Sequence, residues 1–464
     1  MIERVYGNSP IWMQNILVAT AGLQLHLQRK GGNYKHYLHL IKENQILTPD
    51  LIEQMQLRSL KQVISHSFDS VPFYQEWSRK NRITAADINC NNDIAVLPII
   101  EKEDIRQNPK LYCSRHMLKK SGNFTLNTSG TTGKPLVIFC DKESRRRHFA
   151  YWERFCEWFG VGKNSWRATF CGRIAIPQKQ KTPPFWRYDP VQRNVLFSSY
   201  HLSENNMPFY VKKLRQIKPD FLDGYPSSLA YIANYMLAQN EPPVTSLKAA
   251  FTSAETLLSC QRDVISRAFQ VPVADQYGCT EMAVFISQCE HGSYHVNSDY
   301  SLLEVLNEKG APASPGEWGE AICTVFVNRT MPLIRYRLGD LLRSPEPSCC
   351  PCGRPFPVTK EIIGRNDDMI LTPDGRQVGR LDPAFKGVDH IRETQLIQTD
   401  INNLLVKLVA TSKFSEIDKH KLLQKLKDFI GDEINIKLEF VSEIPRELNG
   451  KFRSVISRVS NSPR

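Results

Sequence analysis

With 464 residues, 41% hydrophobic and 23% charged, the chain has the composition of an ordinary globular protein of two or three domains, which excludes a largely disordered chain. Its net charge of +12 and pI near 9.1 suit anionic partners such as nucleotides, acidic glycans or a phospholipid surface. Nucleic acid is not an expected partner, because the one dense basic run, Lys142 to His148, is short and mixed, and no zinc-finger repeat or RNP-like aromatic pattern accompanies it.

Residues 1–120 read as mostly helical. The N-terminus reads as lacking a secretory signal. The stretch Ile11 to Leu27 is apolar but broken by Gln14, Asn15, Gln24 and His26, so it falls short of the roughly 20 mainly apolar residues that a membrane span needs. It reads as a helix packed on the body or, given Gln28-Arg29-Lys30 behind it, as a membrane-surface helix. Any membrane association is therefore peripheral at most. Leu51 to His66 has apolar positions at helical spacing, and the patch Glu101 to Arg106 after Pro98 leads from a loop into a helix.

Phe124 to Thr128 reads as a strand entering a Gly/Thr/Ser loop, and Leu136 to Cys140 as the strand leaving it. Residues 183–200, rich in proline and aromatics, read as a long structured loop of the kind that lines sites. Alternating signals follow: a helix over Met207 to Ile217, a short strand at Phe221-Leu222, and a helix over Ser227 to Gln239 with Ser227 as N-cap. A strand over Leu247 to Thr252 and a helix over Ser259 to Phe269 come next. This alternation predicts an α/β body with central sheets flanked by helices. The last hundred residues predict strand, strand, helix, strand (Glu393 to Gln398, Leu404 to Ala410, Glu416 to Phe429, Asn435 to Val441), a compact α+β unit. The expected division is an N-terminal domain over 1–366 and a C-terminal domain over 367–464.

The loop Asn127-Thr128-Ser129-Gly130-Thr131-Thr132-Gly133-Lys134-Pro135 carries the first chemistry. Apart from Lys134, every residue is Asn, Thr, Ser, Gly or Pro. Glycines let backbone N–H groups turn toward an anion, hydroxyls add donors, and Lys134 adds a point charge. The loop differs from a Walker A loop, because two residues separate Gly130 from Gly133 and Pro135 obstructs an immediate helix. Downstream lie Tyr277-Gly278-Cys279-Thr280-Glu281, Arg335-Tyr336-Arg337-Leu338-Gly339-Asp340, Gly364-Arg365-Asn366-Asp367-Asp368 and Asn449-Gly450-Lys451.

In order and spacing these motifs resemble the core motifs of the adenylate-forming superfamily, over essentially the whole chain. The segments 196–202, 223–229 and 375–383 resemble the phenylacetate–coenzyme A ligase branch, and within it the CapK-like proteins of capsular-polysaccharide clusters. The resemblance implies an enzyme that joins a carboxylate to the α-phosphate of ATP, releases pyrophosphate, and passes the acyl group to coenzyme A or to an amine or hydroxyl, for instance on a sugar. A catalytically silent assembly protein is the remaining alternative.

The resemblance also implies roles. Thr128, Ser129, Gly130, Thr131, Thr132, Gly133 and Lys134 would hold the β/γ phosphates of ATP. Glu281 would bind Mg²⁺, and Thr280 would touch the α-phosphate. Tyr277, beside Gly278, would stack near adenine, with Asp275 and the turn Ser253-Ala254-Glu255 at its edge. Asp340 would accept hydrogen bonds from the ribose hydroxyls, and Arg365 would reach the ribose or phosphate. Lys451 would bridge the carboxylate and α-phosphate, carried by a mobile C-terminal domain with its hinge at Asp367. Two departures stand out: Leu338 replaces the threonine usual before Gly-Asp, and Cys279 fills the variable position of its motif.

The small-molecule carboxylic acid is expected to be lined from 170–202 and 223–228, with Arg173, Tyr200, His201 and Tyr225 as candidates. Arg173 also suits a second carboxylate. Most of the twelve cysteines are scattered singly, as in a reducing, cytoplasmic setting. The exceptions are Cys289 and the Cys349-Cys350-Pro351-Cys352 cluster. Cys289, His295, Cys350 and Cys352 are the expected ligands of a structural Zn²⁺, with His291 and Cys349 in reserve; buried free thiols are the alternative.

Overall fold

The computed structural model describes residues 6–7, 9–120, 122–128, 136–173, 175–177, 179–365, 370–373, 377–378, 381–385, 388, 390–446 and 452–459. In the body the strands run β1 (Phe124–Asn127), β2 (Val137–Cys140), β3 (Arg167–Cys171), β4 (Trp186–Asp189), β5 (Asn194–Ser198), β6 (Phe221–Gly224), β7 (Ala249–Ser253), β8 (Val273–Gly278) and β9 (Phe285–Gln288). They continue as β10 (Tyr294–Val296), β11 (Ser301–Leu306), β12 (Trp318–Val325), β13 (Tyr336–Arg343), β14 (Val358–Thr359) and β15 (Ile362–Arg365). The remainder are β16 (Ile370–Leu371), β17 (Gln377–Val378), β18 (Ile391–Asp400), β19 (Asn403–Ala410), β20 (Asn435–Phe440) and β21 (Val455–Ser457).

Nine strands form the main sheet in the order β14-β10-β9-β8-β7-β6-β3-β5-β4. Its centre, from β5 through β3, β6 and β7 to β8, is parallel. Such strands need crossovers, and the helices Met207–Ile217, Pro226–Ala238 and Ser259–Phe269 supply them. Alternate residues of a strand face opposite sides. Phe221, Ala249 and Phe251 accordingly enter a core shared with the N-terminal helices and the helix Lys142–Glu157, while Leu222 and Ala250 enter the core under the crossover helices. Direction reverses after β8, since β9 is antiparallel to it. The carboxyl ends of β3, β6, β7 and β8 therefore open on one edge, where α/β sheets bind ligands.

A second sheet, β11-β12-β13-β15, is antiparallel throughout. β18 to β21, with the helix Glu416–Ile430, form the C-terminal unit, in the sheet order β20-β19-β18-β21.

Three expectations need correction. Residues 183–200 contain β4 and β5, an antiparallel pair at the sheet edge; every residue of β5 is buried, so continuous burial hid the alternation that marks a half-exposed strand. The helix after β6 starts at Pro226 with Tyr225 as N-cap, because proline is pre-organised for the first helical position. Ser227 caps nothing and instead binds Glu255. The C-terminal unit has a further strand, β21, parallel to β18. The segment Ile11–Lys30 is one helix, docked by Gln14 on Arg187 at 2.8 Å and by Lys30 on Glu153 at 2.5 Å. Its outer face leaves Trp12, Ile16, Leu23 and Leu27 exposed. No described helix is long and apolar enough to cross a membrane.

Candidate functional site

A cavity of about 1040 Å³ opens at the carboxyl edge of the parallel strands. Each strand delivers a short segment to its wall: Arg173 after β3, Ser227 after β6, Ser253-Ala254-Glu255 after β7, and Gly278 to Glu281 after β8. Thr128 and Asp340 come to the same wall from the hairpin and from β13. The backbone is specialised here. Ala254 has a φ of +70°, the left-handed region that costs a residue with a Cβ about 1–2 kcal/mol. A Cβ at Gly278 would stand 2.6 Å from Gln276 Nε2, which would have to move, and 3.2 Å from the Val284 carbonyl oxygen, so the packing here favours glycine.

The Tyr277 hydroxyl donates to Asp340 Oδ2, which joins two motifs 63 residues apart. Asp340 and Arg365 are direct cross-strand partners in β13 and β15. Asp275 is buried and accepts from Thr252 Oγ1 at 2.6 Å and from the Tyr294 hydroxyl at 3.1 Å. Burial raises its pKa, against the pull of those two bonds. Glu281 is 4% exposed; Lys102 Nζ lies 3.3 Å from it and the Tyr336 hydroxyl donates to it at 3.0 Å. Thr280 is exposed to the cavity beside it.

Thr128 closes the base of its loop. Its N–H donates to the Leu136 carbonyl at 3.0 Å, and its hydroxyl accepts from the Leu136 N–H at 2.9 Å. Ser129, Gly130, Thr131, Thr132, Gly133 and Lys134 lie outside the described residues, as do Asp367, Lys451 and the Arg365 side chain. Phe452, next to Lys451 in sequence, lines the cavity and donates its N–H to Glu255 Oε1. Glu255 also accepts from Ser227, from its N–H and its hydroxyl at 3.1 Å each. Burial raises the Glu255 pKa, against the bonds from Phe452 and Ser227.

Of the four candidates for the acid, Arg173 alone is in the cavity wall. Tyr200 donates to the Gly172 carbonyl at 3.0 Å. His201 bonds Ser198 Oγ through Nδ1 at 2.7 Å and stacks on Phe185 at 5.1 Å. Tyr225 is buried and caps the following helix. These three support the ends of β3, β5 and β6 rather than lining the cavity. Residues that motif reading passed over are Lys102, Tyr336, Arg145, His148 and Phe452. The three-residue spacing of Arg145 and His148, which puts them on one helical face, was the available signal for that pair.

On the far side of the sheet, the ligand atoms of Cys289, His295, Cys350 and Cys352 all lie within 4.8 Å of one another. Cys289 Sγ and Cys350 Sγ are 3.6 Å apart, and Cys352 Sγ is 3.2 Å from His295 Nε2. The His295 Nδ1–H donates to the Phe356 carbonyl at 3.0 Å, which leaves Nε2 as the ligand atom. Burial lowers the His295 pKa, which favours the neutral ring. Three thiols and one imidazole in this geometry suit a tetrahedral ion. His291 and Cys349 are not in the group.

A family model for the CapK C-terminal domain matches residues 370–458. Protein CapK of Staphylococcus aureus is 32% identical over 99% of this chain and 100% of that protein. A phenylacetate-coenzyme A ligase of Aromatoleum evansii is 23% identical over 83% of each chain. The solved structure of a 2-hydroxyisobutyryl-CoA ligase in its postadenylation state is 18% identical, covers 90% of this chain and 91% of that one, and superposes with a TM-score of 0.72, which shows a shared fold. With the S. aureus protein matched from end to end, the chain belongs to the CapK family.

Proposed function

We propose that this protein is an ATP-dependent adenylate-forming ligase. It joins a carboxylic acid to the α-phosphate of ATP, releasing pyrophosphate, and then forms a thioester between the acyl group and coenzyme A, with AMP as the leaving group. The observation that carries this reading is the Tyr277–Asp340 bond, with Arg365 across from Asp340, in one cavity with Thr128, Thr280 and Glu281. A carboxylate and a triphosphate repel, so their meeting needs fixed positive charge and oriented donors.

In this reading the Thr128 to Lys134 loop takes the β and γ phosphates. The buried Glu281 carboxylate fits Mg²⁺, a hard cation that favours oxygen ligands; its neighbour Lys102 stands ready as a second positive charge. Tyr277 lies against adenine, Asp340 takes the ribose hydroxyls, and Lys451 supplies charge where carboxylate and phosphate meet. The bond from Phe452 to Glu255 supports this last role, because it holds the chain beside Lys451 at the cavity wall. The C-terminal unit swings about Asp367 between the two half-reactions. Cys289, His295, Cys350 and Cys352 hold one Zn²⁺; four protein ligands close the coordination sphere and make the ion structural.

Pyrophosphate release screened over aryl, fatty, amino and sugar acids, with and without coenzyme A, tests the proposal. Release above background is expected with at least one acid, and Lys451→Ala should abolish it while melting like the wild type. Background release with every acid would refute the enzyme. Full turnover without coenzyme A, given an amine acceptor, would replace the thioester step by acyl transfer to nitrogen.

A further inference from the structure

The cavity wall holds six carboxylates and five arginines, and two of those arginines stand apart from the carboxylates. Arg145 and Arg173 both line it, with His148 beside them. Arg29 lies behind: its guanidinium is 4.3 Å from the centroid of the Phe149 ring, and that of Arg145 is 4.9 Å from the same centroid. Two cations thus share one aromatic ring. The nearby carboxylates are already engaged. Asp223 is 3.4 Å from Arg167, and Asp189 accepts from the Gln192 backbone at 3.1 Å and its side chain at 2.5 Å.

Neither Arg145 nor Arg173 has a carboxylate partner among the described residues. The Arg145 guanidinium donates to Met282 Sδ at 3.9 Å, a weak acceptor. Arg29 donates to Gln192 Oε1 at 3.2 Å, and its Nε is buried without a partner. Burial, and then the fields of Arg173 and Arg145, pushes the Arg29 pKa down. Burial does the same to Arg145, with Arg173 adding to it against Cys140 and Tyr300. Guanidinium groups keep their proton in proteins, so the three positive charges persist, offset in part by Asp223, whose carboxyl feels Arg167, Arg173 and Arg29.

The place of Arg173 in the sheet separates it from the nucleotide segments, whereas Arg145 reaches Met282, the residue after Glu281. In the order β8-β7-β6-β3, the nucleotide segments follow β7 and β8, whereas Arg173 follows β3. At about 4.8 Å per strand, the root of Arg173 is roughly 14 Å from β8. On the proposed reading this is the side left for the acid.

Resting on the adenylating activity proposed above, we infer that the acid taken by this protein carries a second anionic group, a carboxylate or a phosphate, received by Arg145 and Arg173. One carboxylate goes to ATP, and the other anion sits between the two guanidinium groups, which bind oxyanions through paired N–H donors.

Pyrophosphate release with matched acids tests this: pentanoate against glutarate, and gluconate against its phosphate monoester. Charge-assisted bonds of about 1.5–3 kcal/mol predict a kcat/KM about 10–150-fold higher for the doubly anionic member of at least one pair. Comparing the pairs identifies carboxylate or phosphate as the second anion. Arg173→Gln and Arg145→Gln should each raise KM for that acid by about tenfold or more, leave KM for ATP unchanged and shrink the preference, and Arg173→Lys should restore part of it. Thermal melts of each variant register any loss of fold. Equal or better turnover of neutral-tailed acids overturns the inference and leaves the adenylating activity standing. A raised KM for ATP in the arginine variants assigns these residues to the nucleotide and overturns it as well. No release with any acid defeats both.

Discussion

Asp275 stands within β8 with two hydroxyl donors and almost no access to water, and burial raises its pKa above the ordinary 3.8. The folded protein therefore holds this proton more tightly than the unfolded chain does. Its contribution to stability is greatest below the unfolded value and is lost as pH rises through the folded one. Asp275→Asn removes the titration. Denaturation midpoints measured from about pH 3 to pH 7 should show a constant difference at the acid end, then a growing advantage for the variant; parallel profiles would contradict the assignment. Single residues of this kind were partly legible in the sequence. Tyr277 and Asp340 each stood out within a motif, but the bond between them spans 63 residues and exists only once β8 and β13 are folded. Lys102 gave no signal, because a lysine after an acidic residue is ordinary until Glu281 arrives beside it. Tyr200, His201 and Tyr225 drew attention as polar aromatics near the right strand ends, yet the Tyr200 hydroxyl and the His201 Nδ1 are committed to support within and between those ends.

Two crossover helices are legible in the sequence to the residue, whereas the helix expected over Leu51 to His66 runs from Pro49 to Ser70. Met207–Ile217 and Ser259–Phe269 agree at both ends, since apolar spacing and caps act locally. β21 escaped because three residues carry no period; pairing with β18 creates it. That strand matters to the site. The Leu396 N–H donates to the Ser454 carbonyl at 2.8 Å and the Arg458 N–H to the Gln398 carbonyl at 2.9 Å, so by alternation the Ile456 N–H also points at β18. Ile456→Pro deletes that donor and loosens the segment that begins beside Lys451. The kcat for pyrophosphate release is expected to fall by about tenfold or more, as misplacement of a reacting group does, while ATP binding followed by calorimetry holds. Unchanged kcat would show that β21 does not position the catalytic segment.

Across the whole molecule, the layers are tied by a buried ion pair. Arg154 and Asp299 are each 1% exposed and meet at 2.7 Å. Arg154 also donates to Asn297 Oδ1 and to the Ile41 carbonyl, both at 2.8 Å, so one guanidinium joins the N-terminal helices to the body. Arg154→Ala leaves a buried carboxylate unpaired and should cost about 3–5 kcal/mol, read from urea denaturation; a loss well under that would mean water enters to replace it. The same guanidinium lies 4.7 Å from the centroid of the Phe356 ring, and the Phe356 carbonyl orients His295. Beyond His295 is Trp158, ring to ring at 6.2 Å, with Arg354 over its indole at 4.1 Å. Indole emission responds to the charge and freedom of its immediate neighbours. On the proposed zinc reading, stripping the ion with a chelator should shift the fluorescence in step with release of one zinc per chain, and Trp158→Phe should silence the shift while the metal stays bound. The protein then reports its own metal content as light, without a label.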